Sequence, residues 1–241
     1  MTGDGRVRWL AFILLAALPA MAPSAPQAGS PAQGAAVAEA MRGHFDRALE
    51  VHGAVIRGDV MAAGTHADAL AAQLERGPKA GSPTAFGALL EAAHAVRSAP
   101  DVLAAAQATA AMLGACGRCH RVSRVTPQFP AVPRIEPRDL AGKMQAHKAA
   151  ADQLLLGLMI PSDVAWQTGA LALATAPMLG SDLPLDATLQ PRLAATEGQL
   201  RRLAVEAGQV TDPRRREAFY AQFLAACADC HRAHGARGGG R

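Results

Sequence analysis

The chain has 241 residues, of which half are hydrophobic and only 4% aromatic, with a formal net charge of +4. Alanine dominates, β-branched runs are scarce and no stretch alternates with period two for long, which excludes a sheet and predicts an all-helical protein of one or two small domains. No block rich in Lys and Arg carries interleaved aromatics, so the basic balance does not point to nucleic acid.

Residues 1–22 read as a secretory signal peptide. Arg6 and Arg8 precede the apolar run Trp9 to Leu18, and Pro19-Ala20-Met21-Ala22 offers small residues for cleavage. The run is too short to span a bilayer comfortably, so the mature chain is expected to lack a membrane span. Cleavage after Ala20 or Ala22 would leave a charge of about +3. Pro23 disfavours the second site, and an uncleaved anchor is the alternative. Residues 23–35, made of Pro, Ala, Gly, Ser and Gln, read as a flexible spacer.

A first unit spans 36–124. Its first helix, 36–57, has the stripe Met41, His44, Ala48, Val51 and Val55, spaced as a bundle seam requires. Gly58-Asp59 ends it. Helices follow at 59–76, 84–97 and 101–122, separated by Gly/Pro loops and by Ser98-Ala99-Pro100-Asp101. The fourth carries Cys116-Gly117-Arg118-Cys119-His120 at its end. Residues 125–137 contain four prolines and read as a linker packed by Phe129 and Ile135.

A second unit, 138–235, repeats the first. Its first helix, 138–159, has the stripe Met144, His147, Ala151, Leu154 and Leu158. Helices at 162–176 and 187–207 follow, with a longer loop between them. Thr211-Asp212-Pro213 then opens a fourth helix ending on Cys227-Ala228-Asp229-Cys230-His231. Residues 236–241 are a loose tail. The paired Met-x-x-His and Cys-x-x-Cys-His elements recur in order, the mark of an internal repeat. Four helices with short connections predict an up-down-up-down bundle, here two in tandem.

Cys-x-x-Cys-His is the attachment signature of a c-type haem. Two thiols on one helical turn add across the porphyrin vinyl groups, and the adjacent His lies under the iron. Two covalent haem c groups are therefore expected, with Cys116, Cys119, Cys227 and Cys230 as anchors and His120 and His231 as proximal ligands. A four-thiolate zinc site would not require the two His. A thioredoxin-like dithiol should follow a strand and open a helix. A disulfide pair leaves the His unexplained. For the sixth position the candidates are His44 and His147, or alternatively Met41 and Met144 one turn earlier on the same face, or an open site. His52, His66 and His94 lack counterparts in the second unit and read as surface or ordinary polar residues. His234 lies on the proximal side. Arg121 and Arg232 are placed to pair with a propionate or to stand in solvent. Trp166, Phe219, Tyr220 and Phe223, and Met112 and Leu113 in the first unit, read as core.

At these residues the chain resembles the four-helix, cytochrome c prime-like (class II) c-type cytochromes, which carry Cys-x-x-Cys-His late in the fourth helix and the distal position on the first. The resemblance covers both units. The chain departs from the class in being duplicated, in its short units and in offering His on the first helix. The repeated Met-x-x-His would cap both irons, so the expectation is a periplasmic dihaem protein that carries electrons between redox partner proteins, with six-coordinate irons. The alternative is a five-coordinate protein that binds NO or CO. An enzyme such as a dihaem peroxidase ranks last, because no Glu, Asp or Arg cluster stands at matching positions on the distal helices.

Overall fold

The computed structural model describes residues 31–78, 83–176 and 189–233. Within them the protein is all-α, with eight helices and no strand. These are α1 (Pro31–Ile56), α2 (Val60–Arg76), α3 (Pro83–Arg97), α4 (Val102–Ser123), α5 (Leu140–Met159), α6 (Asp163–Thr175), α7 (Leu189–Ala207) and α8 (Pro213–Ala233). The boundaries fall where the sequence places them, except that α1 starts inside the expected spacer, at Pro31, a residue suited to a first helical position. The leader, the first part of the spacer, the loop between α6 and α7, and the tail with His234 lie outside the described residues.

Side-chain caps set the helix starts. Asp59, Asp101, Asp139 and Ser162 each accept a hydrogen bond from the backbone N–H three residues on, and Asp212 does the same for Arg215 ahead of Pro213. Gly58, at φ +74°, makes the turn from α1 to α2. The end of α4 is closed by Arg124 in the left-handed region. Its N–H donates to Arg121 O, and Val125 N–H donates to His120 O. The chain then runs to Arg138 without regular structure, and Phe129 packs on Phe45 with ring centroids 4.7 Å apart.

α1 packs on α2, α2 on α3, α3 on α4 and α4 on α1, while α5 to α8 form a second closed ring of the same kind. The two rings share one core, because α4 also packs on α8 and α5, and α1 on α8. α4 is thus buried on several sides. That position accounts for its composition: among the described residues it alone is long and apolar enough to cross a membrane.

Two polar groups are buried where the rings meet or where the second ring closes. His52, read from the sequence as a surface or ordinary polar residue, is only 4% exposed. Its Nε2 is 2.7 Å from the Tyr220 hydroxyl, which lies 3.3 Å from Ala151 O. One hydroxyl therefore joins α1, α5 and α8. His94 is exposed and His66 pairs with Glu50 at 3.1 Å, in line with their expected polar roles. Arg216 is also buried. It donates to Asp163 at 2.6 Å and to Val210 O at 2.9 Å, and lies over the Trp166 ring. Trp166 in turn donates to Ala207 O. Met112, Leu113, Trp166, Tyr220 and Phe223 are core, as expected, and Phe219 is half-buried against it.

Burial, helped by nearby Lys148, drives the His52 pKa from 6.5 down to about 3. The unfolded chain takes up a proton near pH 6.5 that the folded chain refuses. The contribution to stability is therefore complete above about pH 6.5 and is lost as pH falls towards 3. Urea unfolding at pH 7.5 and 4.5 should show a loss of about 2–3 kcal/mol at the lower pH, and His52→Gln should flatten that dependence. An equally steep fall in the variant would assign the acid sensitivity to other groups. Arg216→Ala should cost about 2–3 kcal/mol in the same assay. Asp163→Asn should cost under about 1 kcal/mol, since that carboxylate is largely exposed.

Candidate functional site

Each Cys-x-x-Cys-His turn lies at the C-terminal end of a helix in the α4–α8 pair. Arg118, near the end of α4, forms an ion pair with Glu217, near the start of α8. The helices therefore run antiparallel, and the two motifs sit at opposite ends of the pair. The second motif centres about a dozen residues beyond Glu217, a separation along the axis of about 18 Å. The four thiols cannot meet around one ion.

The helical repeat gives each motif two sides. On α4, Gly114 and Arg118 face α8, where an added Cβ at Gly114 would overlap Glu217. Cys116 and Cys119 lie on the other side of the helix, towards its own ring. On α8, Cys230 likewise turns towards α7, close enough to Glu197 for that carboxylate to raise its thiol pKa, after burial, the main cause. All four cysteines are free thiols. Burial pushes Cys116 and Cys227 up to about 12, reinforced by the neighbouring Cys119 and Cys230. Exchanging dithiols are activated at electropositive helix N-termini, whereas these thiols lie at the opposite, electronegative end.

The ring of His120 is held by the other half of the molecule. Its Nδ1 lies 2.7 Å from Met159 O, at the end of α5. A carbonyl only accepts, so Nδ1 carries the proton, and in the neutral ring Nε2 keeps the lone pair that a metal could take. The approach depends on Gly117, where a Cβ would overlap Leu158 O. The second motif meets the corresponding turn of the first half. The Arg232 stem lies on Gly58, where an added Cβ would come within 2.7 Å of it, and Ala228 O is 3.4 Å from the same point.

The sixth-ligand candidates are on the first helix of each ring. His44 is buried, and its Nδ1 has no hydrogen-bond partner among the described residues. Burial lowers its pKa and favours the neutral ring, the state that binds iron. His44 is a dozen residues before the end of α1, and Cys116 about as far after the start of α4, so in antiparallel packing the two are roughly level. His147 is half-buried on α5, as are Met41 and Met144 on their helices. Arg232 pairs with Asp229 and Arg121 is exposed.

Two residues absent from the sequence reading belong beside these sites. Glu197 is buried, 6% exposed, on α7. It occupies the seam Leu193, Glu197, Leu200, Ala204, so an acid on an apolar stripe was the available signal. Glu217 is the other. Desolvation raises its pKa although Arg118, Arg214 and Arg121 pull it down. Comparison with protein-family models, with curated proteins and with solved structures gives no match.

Proposed function

We propose that the protein is an exported dihaem c-type cytochrome that carries electrons between protein partners, built as two four-helix bundles with one haem in each. The observation that carries the reading is the state of His120. Its Nδ1 proton is committed to Met159 O, its Nε2 is left for iron, and two thiols lie on the same helical turn. The fit extends to His44, a buried imidazole with a bare nitrogen; such an orphan costs about 1–3 kcal/mol that a bound group relieves.

In this reading Cys116, Cys119, Cys227 and Cys230 anchor the two groups as thioethers, and His120 and His231 are the proximal ligands. His44 and His147 close the distal faces in preference to Met41 and Met144: His44 is more deeply buried than Met41, and His147 is its counterpart in the repeat. When bound, each haem supplies a one-electron Fe(III)/Fe(II) couple. The protein excludes water, fixes the ligand rings and sets each potential through burial and hydrogen bonding. Export to the periplasm follows from the leader, because haem attachment of this type belongs to that compartment. A partner would meet the exposed Arg121, Arg124, Arg214 and Arg215, which gather where α4 ends and α8 begins, with Val122 and Val125 exposed among them. That face suits an acidic redox protein.

The protein produced with its leader in a host that matures c-type cytochromes should show two haems per chain in its alkaline pyridine spectrum. Cys116→Ser with Cys119→Ser should leave one. The ferric protein should be low-spin, and His44→Ala and His147→Ala should each turn one centre high-spin. A high-spin ferric spectrum in the wild type, with ready carbon monoxide binding after reduction, would replace electron transfer by gas binding.

A further inference from the structure

The two halves of the molecule are joined at the motifs themselves. α4 ends against the close of α5, and α8 ends against the turn between α1 and α2, so each motif helix finishes on the opposite half. At the first joint, a backbone carbonyl receives the imidazole N–H of the motif. At the second, the contact on Gly58 is the aliphatic stem of Arg232 and a helix carbonyl.

We propose that the C-terminal end of α5, through Met159 O, is the positioning element for His120, so that the second half of the molecule sets the ligand strength and potential of the first centre. This rests on the haem reading above. A carbonyl accepting from Nδ1–H pulls that proton, makes the ring a stronger donor at Nε2 and favours the ferric state. The site for this contact is built in two ways. Gly117 removes the side chain that would hold α4 away from Leu158 O. The carbonyl of Met159 is also one of the last of its helix, where intrahelical donors run out and a foreign donor is welcome. Ile160 N–H donates to Leu156 O at 2.8 Å and keeps the final turn of α5 helical, which aims Met159 O.

The test is a potentiometric titration of the holoprotein followed by electron paramagnetic resonance, with the first centre identified as the one lost in the Cys116→Ser/Cys119→Ser chain. Gly117→Ala parts α4 from α5. The potential of the first centre should rise while that of the second stays in place, and the His120 ring N–H resonance should lose its protection from solvent exchange. If Gly117→Ala does not accumulate, Ile160→Pro serves instead. Proline there drives Met159 out of the helical region and turns its carbonyl aside, with the same expected result. A role limited to holding the halves together would lower the melting temperature without moving one potential alone. Two haems per chain with both potentials unmoved in the variants overturns the positioning role and leaves the haem reading standing. A wild-type chain without haem overturns both.

Discussion

The antiparallel contact between α4 and α8 is the constraint from which the rest of the structure follows. Its closeness depends on small residues. Gly114 on α4 has no room for a Cβ beside Glu217 of α8, while Gly117 serves the neighbouring α4–α5 approach and Ala228 O lies against the α1–α2 turn. With alanine-rich helices on both sides, dispersion and area burial per residue are modest, so the helices must approach closely to gain enough of either. A bulky residue in this seam would separate the halves and open the shared core to water. The same contact places the Cys-x-x-Cys-His turns at opposite ends of the pair and turns each toward its own ring of helices.

Polar side chains then specify this arrangement. Apolar alanine faces slide past one another at little cost, but the Tyr220 hydroxyl meets His52 and Ala151 O in one register only. Arg118 with Glu217 fixes the α4–α8 alignment in the same manner, and Arg216 ties α8 to the start of α6 and the Trp166 ring. Each group is costly to bury without its partner, so a slipped packing is penalised more than the aligned one is rewarded. These contacts supply specificity that a core with few aromatics cannot.

Most of the helix pattern was legible in the sequence because it is local. Asp59, Asp101, Asp139, Ser162 and Asp212 mark helix starts by a capping chemistry that needs no knowledge of the fold, and the motifs follow from spacing alone. What the sequence hid is which helices carry a second buried face. α1 has the seam Met41, His44, Ala48, Val51, Val55, and also Phe45, Leu49, His52, Ile56 on its other flank. The second stripe reads as ordinary amphipathic spread until α8 is known to lie on it, and so His52 was read as a surface or ordinary polar residue. The link from His120 to Met159 O was not legible at all. It joins positions 39 residues apart through a main-chain atom, which no side-chain pattern encodes.

The duplication also makes the unlike features of the two halves informative. The repeats match in motif, in the Met-x-x-His stripe of the first helix and in helix order; Met159 O lies on the His120 imidazole, and the buried carboxylate of Glu197 lies near Cys230. A carbonyl on the ring and a carboxylate near the anchoring sulfur change the field at a bound metal by different routes, one through the ligand and one through space. If each motif holds a haem, as proposed, these two environments give the two centres separate means of tuning their potentials.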